Sequence, residues 1–325
     1  MNIVILDAYS VNPGDIDWEP IRALGELSIY DHTPMEQIGE RIRDADAVFT
    51  NRARLGEAEF AQAKHLRFLC LFATGYDKID LESARRHQIA VCNAPGYSTD
   101  AVAQHAIALL LELTNRTRAL DTELRKGRWT QHAGDCVWDA PMISLSDKTF
   151  GVLGTGAIGC RTARIAEALG MRVIGYSRNR RAEFCGDYVS QNELFLQSDV
   201  LSLHCAATPE TIGIINRESL SRMKPGAILI NTARGSLVDS GALAEALNEE
   251  RIYAAGLDVV DRESIPPENP LLHAKNCLIT PHAAWLPRDV RKKLIDITAE
   301  NLRSFLGGGT LNRVDLEGSY LAKES

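Results

Sequence analysis

Three short segments carry the side chains best suited to chemistry. Asn231-Thr232-Ala233-Arg234-Gly235 holds a guanidinium, Asp258-Val259-Val260-Asp261-Arg262-Glu263 holds carboxylates, and Thr280-Pro281-His282 holds an imidazole. Each follows an apolar run that reads as a strand, and open α/β sheets bind their ligands beyond the strand ends. Hydride exchange with a hydroxy acid needs this set. A cation must grip the substrate carboxylate and polarise the carbonyl, and arginine does so with a two-pronged fork. An acid/base must exchange the hydroxyl proton, and histidine is suited to neutral pH. A carboxylate beside that histidine orients the ring and favours its charged form. Plainer readings stand beside these: Arg234 as a surface residue in a turn, Glu263 as a solvated loop acid, His282 as a cap at the start of the last helix.

A hydride needs a carrier, and one stretch has the pattern to hold it. Thr149-Phe150-Gly151-Val152-Leu153-Gly154-Thr155-Gly156-Ala157-Ile158-Gly159 reads as a buried strand, a glycine turn and the start of a helix. Gly154 permits the tight turn, Gly156 permits close approach of a pyrophosphate, and Gly159 permits close packing of helix on strand. The helix N-terminus offers N–H groups and a partial positive charge to that anion. A ligand-free βα turn is the plainer alternative. At the end of the next expected strand, Arg172 to Tyr176, a cofactor without a 2′-phosphate is normally met by Asp or Glu. Here stand Ser177, Arg178, Asn179, Arg180 and Arg181. Their charge favours NADP over NAD.

The elements that must position these groups follow from patterning. Apolar runs at Asn2 to Asp7, Leu27 to Tyr30, Ala47 to Thr50, Phe68 to Ala73 and Ile89 to Asn93 alternate with helical stretches, which implies a parallel open sheet. Thr33 is expected to cap a helix that runs to about Asp44. A second series of strands begins at the glycine turn and continues through Asp199 to His204, Ala227 to Asn231, Ala254 to Val259 and Cys277 to Thr280. The expected helix from Asp100 to Lys126 is apolar on nearly every face, as a helix buried deeply or in a subunit interface would be. A homodimer is therefore expected. His105 is expected on its buried face. The final dozen residues are polar and read as a disordered tail or as a return to the first domain.

The 325 residues carry a net charge of −7, which gives no electrostatic reason to expect nucleic acid or an anionic membrane as partner. No apolar run approaches the ~20 residues of a membrane helix, and the start does not resemble a secretory leader, so a cytoplasmic protein is expected. The seven cysteines are scattered without metal-ligand spacing and read as reduced; no metal site is expected.

The chain resembles the D-isomer-specific 2-hydroxyacid dehydrogenase family over nearly its whole length. The resemblance rests on Ala73-Thr74-Gly75-Tyr76-Asp77-Lys78-Ile79-Asp80, the glycine turn, Leu203-His204-Cys205-Ala206-Ala207-Thr208-Pro209-Glu210-Thr211, Asn231-Thr232-Ala233-Arg234-Gly235 and Pro281-His282. It implies an α/β fold of two Rossmann-like doubly wound parallel-sheet domains with a cleft between them. The implied substrate domain is discontinuous, residues 1–99 plus 287–325, and the dinucleotide-binding domain is 100–286. The resemblance also implies roles. Arg234, Glu263 and His282 would be catalytic. Thr74 and Gly75 would join Arg234 in binding the substrate carboxylate. Ala157, Ile158, Cys205, Thr232 and Asp258 would join the glycines in touching the cofactor.

Pro281-His282-Ala283-Ala284-Trp285 and the loop with Trp138 and Asp139 most resemble the glycerate dehydrogenase/hydroxypyruvate reductase branch. Hydroxypyruvate or glyoxylate is then the expected 2-keto acid. Phosphoglycerate dehydrogenase is the rival within the family. A non-catalytic dinucleotide sensor like the related corepressors is the rival outside enzymes. Two positions depart from the pattern: Ser264 follows Glu263 where proline is usual, and Ala283 replaces a bulkier apolar residue.

Overall fold

Continuous apolar runs such as Ile3-Val4-Ile5 become strands buried on both faces, as parallel sheets require. The structure is a computed structural model that describes residues 1–131 and 141–316. The Trp138 and Asp139 loop lies outside the described residues. The chain divides into two compact units, Met1–Ser98 with Trp285–Ser325, and Thr99–Ala284. The resemblance implies breaks after 99 and 286.

The first unit holds a five-stranded parallel sheet of β1 (Asn2–Ile5), β2 (Glu26–Ile29), β3 (Ala47–Thr50), β4 (Phe68–Leu71) and β5 (Ala90–Cys92), in the order β2-β1-β3-β4-β5. Its connections contain α1 (Glu19–Arg22), α2 (Ile38–Ile42), α3 (Glu57–Phe60) and α4 (Leu81–Arg86). The terminal helix Arg288–Leu306 buries Leu294, Ile295, Ala299 and Leu302 in the same core as Phe68 and Cys70. Asp7, just past β1, accepts the Thr50 hydroxyl and the backbone N–H groups of Asn51, Arg52 and Ala53, which fixes the loop after β3. Thr33 does not cap a helix. Its hydroxyl donates to the Leu6 carbonyl and accepts from Arg41, so Pro34 begins the turn instead. Beyond the terminal helix the chain returns to β5, where Val314 N–H donates to Val91 O at 2.8 Å and Asp315 accepts from Val91 N–H at 2.9 Å.

The second unit opens on α5 (Thr99–Asn115), α6 (Thr117–Arg125) and α7 (Arg128–Gln131). The single helix expected from Asp100 to Lys126 is thus broken. Arg116 adopts φ 53°, and Glu112 accepts from the Thr117 hydroxyl and the Arg118 N–H to start the next helix. Part of the apolar character of α5 is absorbed within its own unit, where Ala106, Ile107, Leu109 and Leu110 join the core of Phe150 and Val152; Val102 and Ala103 are also buried. The strands are β6 (Thr149–Leu153), β7 (Arg172–Tyr176), β8 (Asp187–Tyr188), β9 (Val200–Leu203), β10 (Ile228–Asn231), β11 (Ala254–Leu257) and β12 (Cys277–Ile279). They form one parallel sheet, β12-β11-β10-β9-β6-β7-β8, flanked by α8 (Ala157–Ala168), α9 (Gln191–Gln197), α10 (Arg217–Arg222) and α11 (Ser240–Asn248). The strand order reverses between β6 and β9, and such a switch point opens a crevice at the C-terminal strand ends. Among the described residues no helix is long and apolar enough to cross a membrane.

Candidate active site

The glycine turn lies at that switch point. Gly154 has φ +97°, and a Cβ there would stand 2.6 Å from the Cys205 nitrogen, so glycine lets the loop after β9 close against the turn. A Cβ on Gly159 would strike the Gly154 carbonyl oxygen at 2.1 Å, so α8 packs tightly on β6. Gly156 differs. A Cβ there meets nothing within 4 Å, and its backbone borders open space at the N-terminus of α8. The first-turn N–H groups of Ala157, Ile158 and Gly159 have no acceptor within an α-helix. Open space beside bare donors and a positive helix end fits a pyrophosphate.

Ser177 and Arg178 follow β7, with Ser177 half-buried and Arg178 exposed. Glu210, from the loop after β9, is held below the usual carboxylate range by the Thr208 hydroxyl first and by Arg178 among lesser causes. The Arg181 guanidinium lies close enough to Cys160, in the first turn of α8, to oppose the upward push that burial gives its thiol. Burial pushes the Cys205 thiol up to about 11, so Cys205 lines the turn as a neutral group.

Arg234 follows β10. Asn231, fully buried, shapes the turn by accepting from Ala233 N–H at 3.0 Å and donating to Arg234 O at 2.9 Å. Gly235 then meets the next loop. A Cβ on it would lie 1.9 Å from the Val260 carbonyl carbon and oxygen, so only glycine lets the arginine turn rest on the segment leading to Glu263. Thr232 leaves a buried hydroxyl oxygen with no hydrogen-bond partner among the described residues.

His282 follows β12 and pairs with Glu263, Nδ1 to Oε1 at 2.7 Å, with about a third of each side chain exposed. Glu263 is the carboxylate that the resemblance implied as partner, and the neighbouring acid Asp261 is engaged elsewhere. Asp261 accepts from Ser240 and Asn269. The Glu263–Ser264 peptide is cis. Asp258, after β11, is buried with 1% exposure, and its carboxylate oxygens accept from Thr280 and from the N–H groups of Ala283 and Ala284. The second unit thus brings Arg234, Asp258, Glu263 and His282 onto neighbouring strand-end loops of one sheet edge.

Thr74 and Gly75 belong to the first unit, just past β4. The Thr74 hydroxyl donates to Ala94 O, and its carbonyl accepts from Asn93. Sequence reading missed the structural work of Asn231, Thr280 and His105. Asn231 had a legible signal, an Asx residue at a strand end. His105 had none, since its partner Thr280 lies 175 residues away.

Comparisons with known proteins agree with this architecture. Residues 107–284 match the model of the D-isomer specific 2-hydroxyacid dehydrogenase NAD binding domain. The chain is 44% identical over 321 residues to a hydroxypyruvate reductase of Blautia hydrogenotrophica, covering 97% of this chain and 100% of the other. The chain belongs to the D-isomer-specific 2-hydroxyacid dehydrogenase family. As a member of that family it is an oxidoreductase with a nicotinamide dinucleotide as cofactor. A glyoxylate reductase of Aeropyrum pernix is 40% identical over 287 residues, 86% of this chain and 85% of that one. A solved acyclic imino acid reductase in complex with NADPH and D-Arg aligns with a TM-score of 0.86 and 31% identity, covering 97% of this dehydrogenase and 100% of that chain.

Proposed function

We propose that this dehydrogenase interconverts a small 2-keto acid, hydroxypyruvate or glyoxylate, and its D-2-hydroxy acid with NADP(H). The observation that carries the reading is the 2.7 Å contact between His282 Nδ1 and Glu263 Oε1. A carboxylate on Nδ1 sets the ring's orientation and leaves Nε2 for the substrate oxygen. The bound dinucleotide supplies the hydride. Arg234 grips the substrate carboxylate and polarises the carbonyl. His282 gives its Nε2 proton to the oxygen in reduction and takes it back in oxidation. Glu263 stabilises the charged ring. Thr74 and Gly75 are proposed as further substrate contacts. Gly154, Gly156, Ala157, Ile158, Gly159, Cys205 and Thr232 are proposed to surround the dinucleotide.

Preference for NADP(H) is supported by Ser177 in place of a carboxylate and by Arg178, Arg180 and Arg181 around it. A homodimer is supported by α6, which buries no side chain in its own unit and leaves Leu124 44% exposed, followed by Trp129 at 55%.

The deciding experiment follows nicotinamide absorbance with each reduced cofactor and a panel of keto acids. Hydroxypyruvate and glyoxylate with NADPH are expected to give the highest kcat/KM. His282→Ala is expected to lose most turnover while retaining cofactor binding, and unchanged turnover would overturn the assignment.

A further inference from the structure

His282 has a backbone that histidine rarely adopts, with φ +54° in the left-handed region. Such a conformation persists only where its surroundings over-determine it. Asp258 supplies much of that constraint, with the Thr280 carbonyl sharing the His282 N–H at 3.0 Å. Three consecutive N–H groups bind Asp258: His282 to its carbonyl oxygen at 2.8 Å, Ala283 to Oδ1 at 2.7 Å and Ala284 to Oδ2 at 3.0 Å. Burial alone would push the Asp258 carboxyl up. Hydrogen bonds from His105, Thr280, Ala283 and Ala284 outweigh it and hold the group below its usual range, in the charged form that accepts all of them.

Two side chains complete the node. Thr280 Oγ1 lies 2.6 Å from Asp258 Oδ1 and 2.9 Å from His105 Nε2, and His105 Nε2 is also 3.4 Å from that Oδ1. The protons can be assigned by elimination. A carboxylate only accepts, so the Thr280 hydroxyl proton points to Asp258. The Thr280 oxygen then presents lone pairs to His105, so Nε2 must carry a hydrogen. His105, from α5, therefore orients Thr280, and both secure the carboxylate that shapes the His282 loop.

We propose that His105 and Thr280 are positioning residues for the reaction, acting through Asp258 to hold the backbone that presents His282. The proposal rests on the reading of His282 as acid/base. Four variants test it: His105→Ala, His105→Gln, Thr280→Val and Thr280→Ser. His105→Ala and Thr280→Val are expected to lower kcat about tenfold, less than the roughly 100-fold that a 1 Å misplacement of a reacting group costs. The cofactor Kd should move by less than about twofold, far below the tenfold that 1.4 kcal/mol represents. His105→Gln keeps an N–H donor and Thr280→Ser keeps the hydroxyl, so both should return to within about threefold of wild type. The isotope effect on kcat, measured with cofactor deuterated at the transferred position, should rise in the impaired pair and fall back in the rescued pair.

Wild-type kcat in both His105→Ala and Thr280→Val, or Gln and Ser variants as impaired as their partners, would overturn the proposal. So would a loss matched by weakened cofactor binding. If His105→Ala does not fold, Thr280→Val against Thr280→Ser decides. His282→Ala is measured alongside. Turnover retained there overturns the acid/base reading and this proposal together, whereas turnover lost there but kept in His105→Ala and Thr280→Val overturns this proposal alone.

Discussion

The phenol oxygen of Tyr188 stands 2.8 Å from the hydroxyl of Thr155, the middle residue of the glycine turn. The same oxygen accepts the backbone N–H of Arg181 at 2.7 Å, and the Arg180 guanidinium lies 5.1 Å over the ring. The edge strand β8 thereby ties the glycine turn to the arginine segment.

Tyr188→Phe keeps the ring and removes the hydroxyl's hydrogen bonds to Thr155 and to the Arg181 backbone. A hydrogen bond contributes a net ~1 kcal/mol, so the NADPH Kd is expected to rise about fivefold. NADH, which lacks the 2′-phosphate, should change less. Titration of each reduced cofactor by calorimetry measures this, and equal weakening of both would mean that the bridge supports only the fold.

Arg234 and Glu263 should fail in different ways. Arg234→Lys keeps the charge but loses the fork, so the keto-acid KM should rise about tenfold or more. Glu263→Gln keeps a group that accepts from Nδ1 but removes the charge that stabilises protonated His282. It should lower kcat by roughly 10- to 100-fold with a smaller change in KM. Steady-state kinetics at saturating NADPH separates the two, and a Glu263→Gln effect confined to KM would contradict the role given to the carboxylate.

Most strands were legible because parallel sheets bury both faces, so runs such as Phe68-Leu69-Cys70-Leu71 admit little else, whereas the two-residue edge strand Asp187–Tyr188 was not read. The breaks were less so. Nothing in Leu113-Thr114-Asn115-Arg116-Thr117 announces a left-handed residue at Arg116, because helical periodicity continues through it and the device that restarts the helix is the side chain of Glu112. Thr33 resembled a cap because local spacing favoured it, but the Leu6 carbonyl offered its hydroxyl a tertiary partner instead. At the site, residue chemistry singled out Arg234 and His282. Glu263 was named through the family resemblance rather than its own local pattern, and in the structure its neighbour Asp261 is held by Ser240 and Asn269. The node of His105, Thr280 and Asp258 joins separate elements through space and has no local signature.

Acid should weaken the second unit before it disrupts the carboxylates. Burial lowers the His204 pKa from 6.5 to about 4. Because the folded-state value is depressed, the unfolded chain binds the proton more readily. Stability is therefore intact above the unfolded value and is lost progressively as pH falls from about 6.5 towards 4. His204 is half-buried, so the loss is set at about 2 kcal/mol, below the full linkage value. His204→Gln should flatten the dependence of melting temperature on pH across that window. A slope unchanged by the substitution would place the acid sensitivity elsewhere.

Two glycines separate folding from binding. In Gly235→Ala the new Cβ would meet the Val260 carbonyl, which is backbone and cannot rotate away. The arginine turn must lift off the loop that leads to Glu263, and such overpacking costs about 1–3 kcal/mol or more. Both melting temperature and turnover should fall. Gly156 has φ −67°, which alanine adopts, and a Cβ there meets no protein atom within 4 Å. Gly156→Ala should therefore fold with a change of about 1 kcal/mol or less, the scale of a lost helix cap. The methyl group would nevertheless occupy the space assigned to the pyrophosphate, so the Kd for either cofactor should rise tenfold or more, equivalent to at least about 1.4 kcal/mol. Thermal melts with and without NADPH make the distinction. Gly156→Ala should match wild type when free and lose the cofactor-induced rise in melting temperature, and an undiminished rise would move the phosphate site away from this turn.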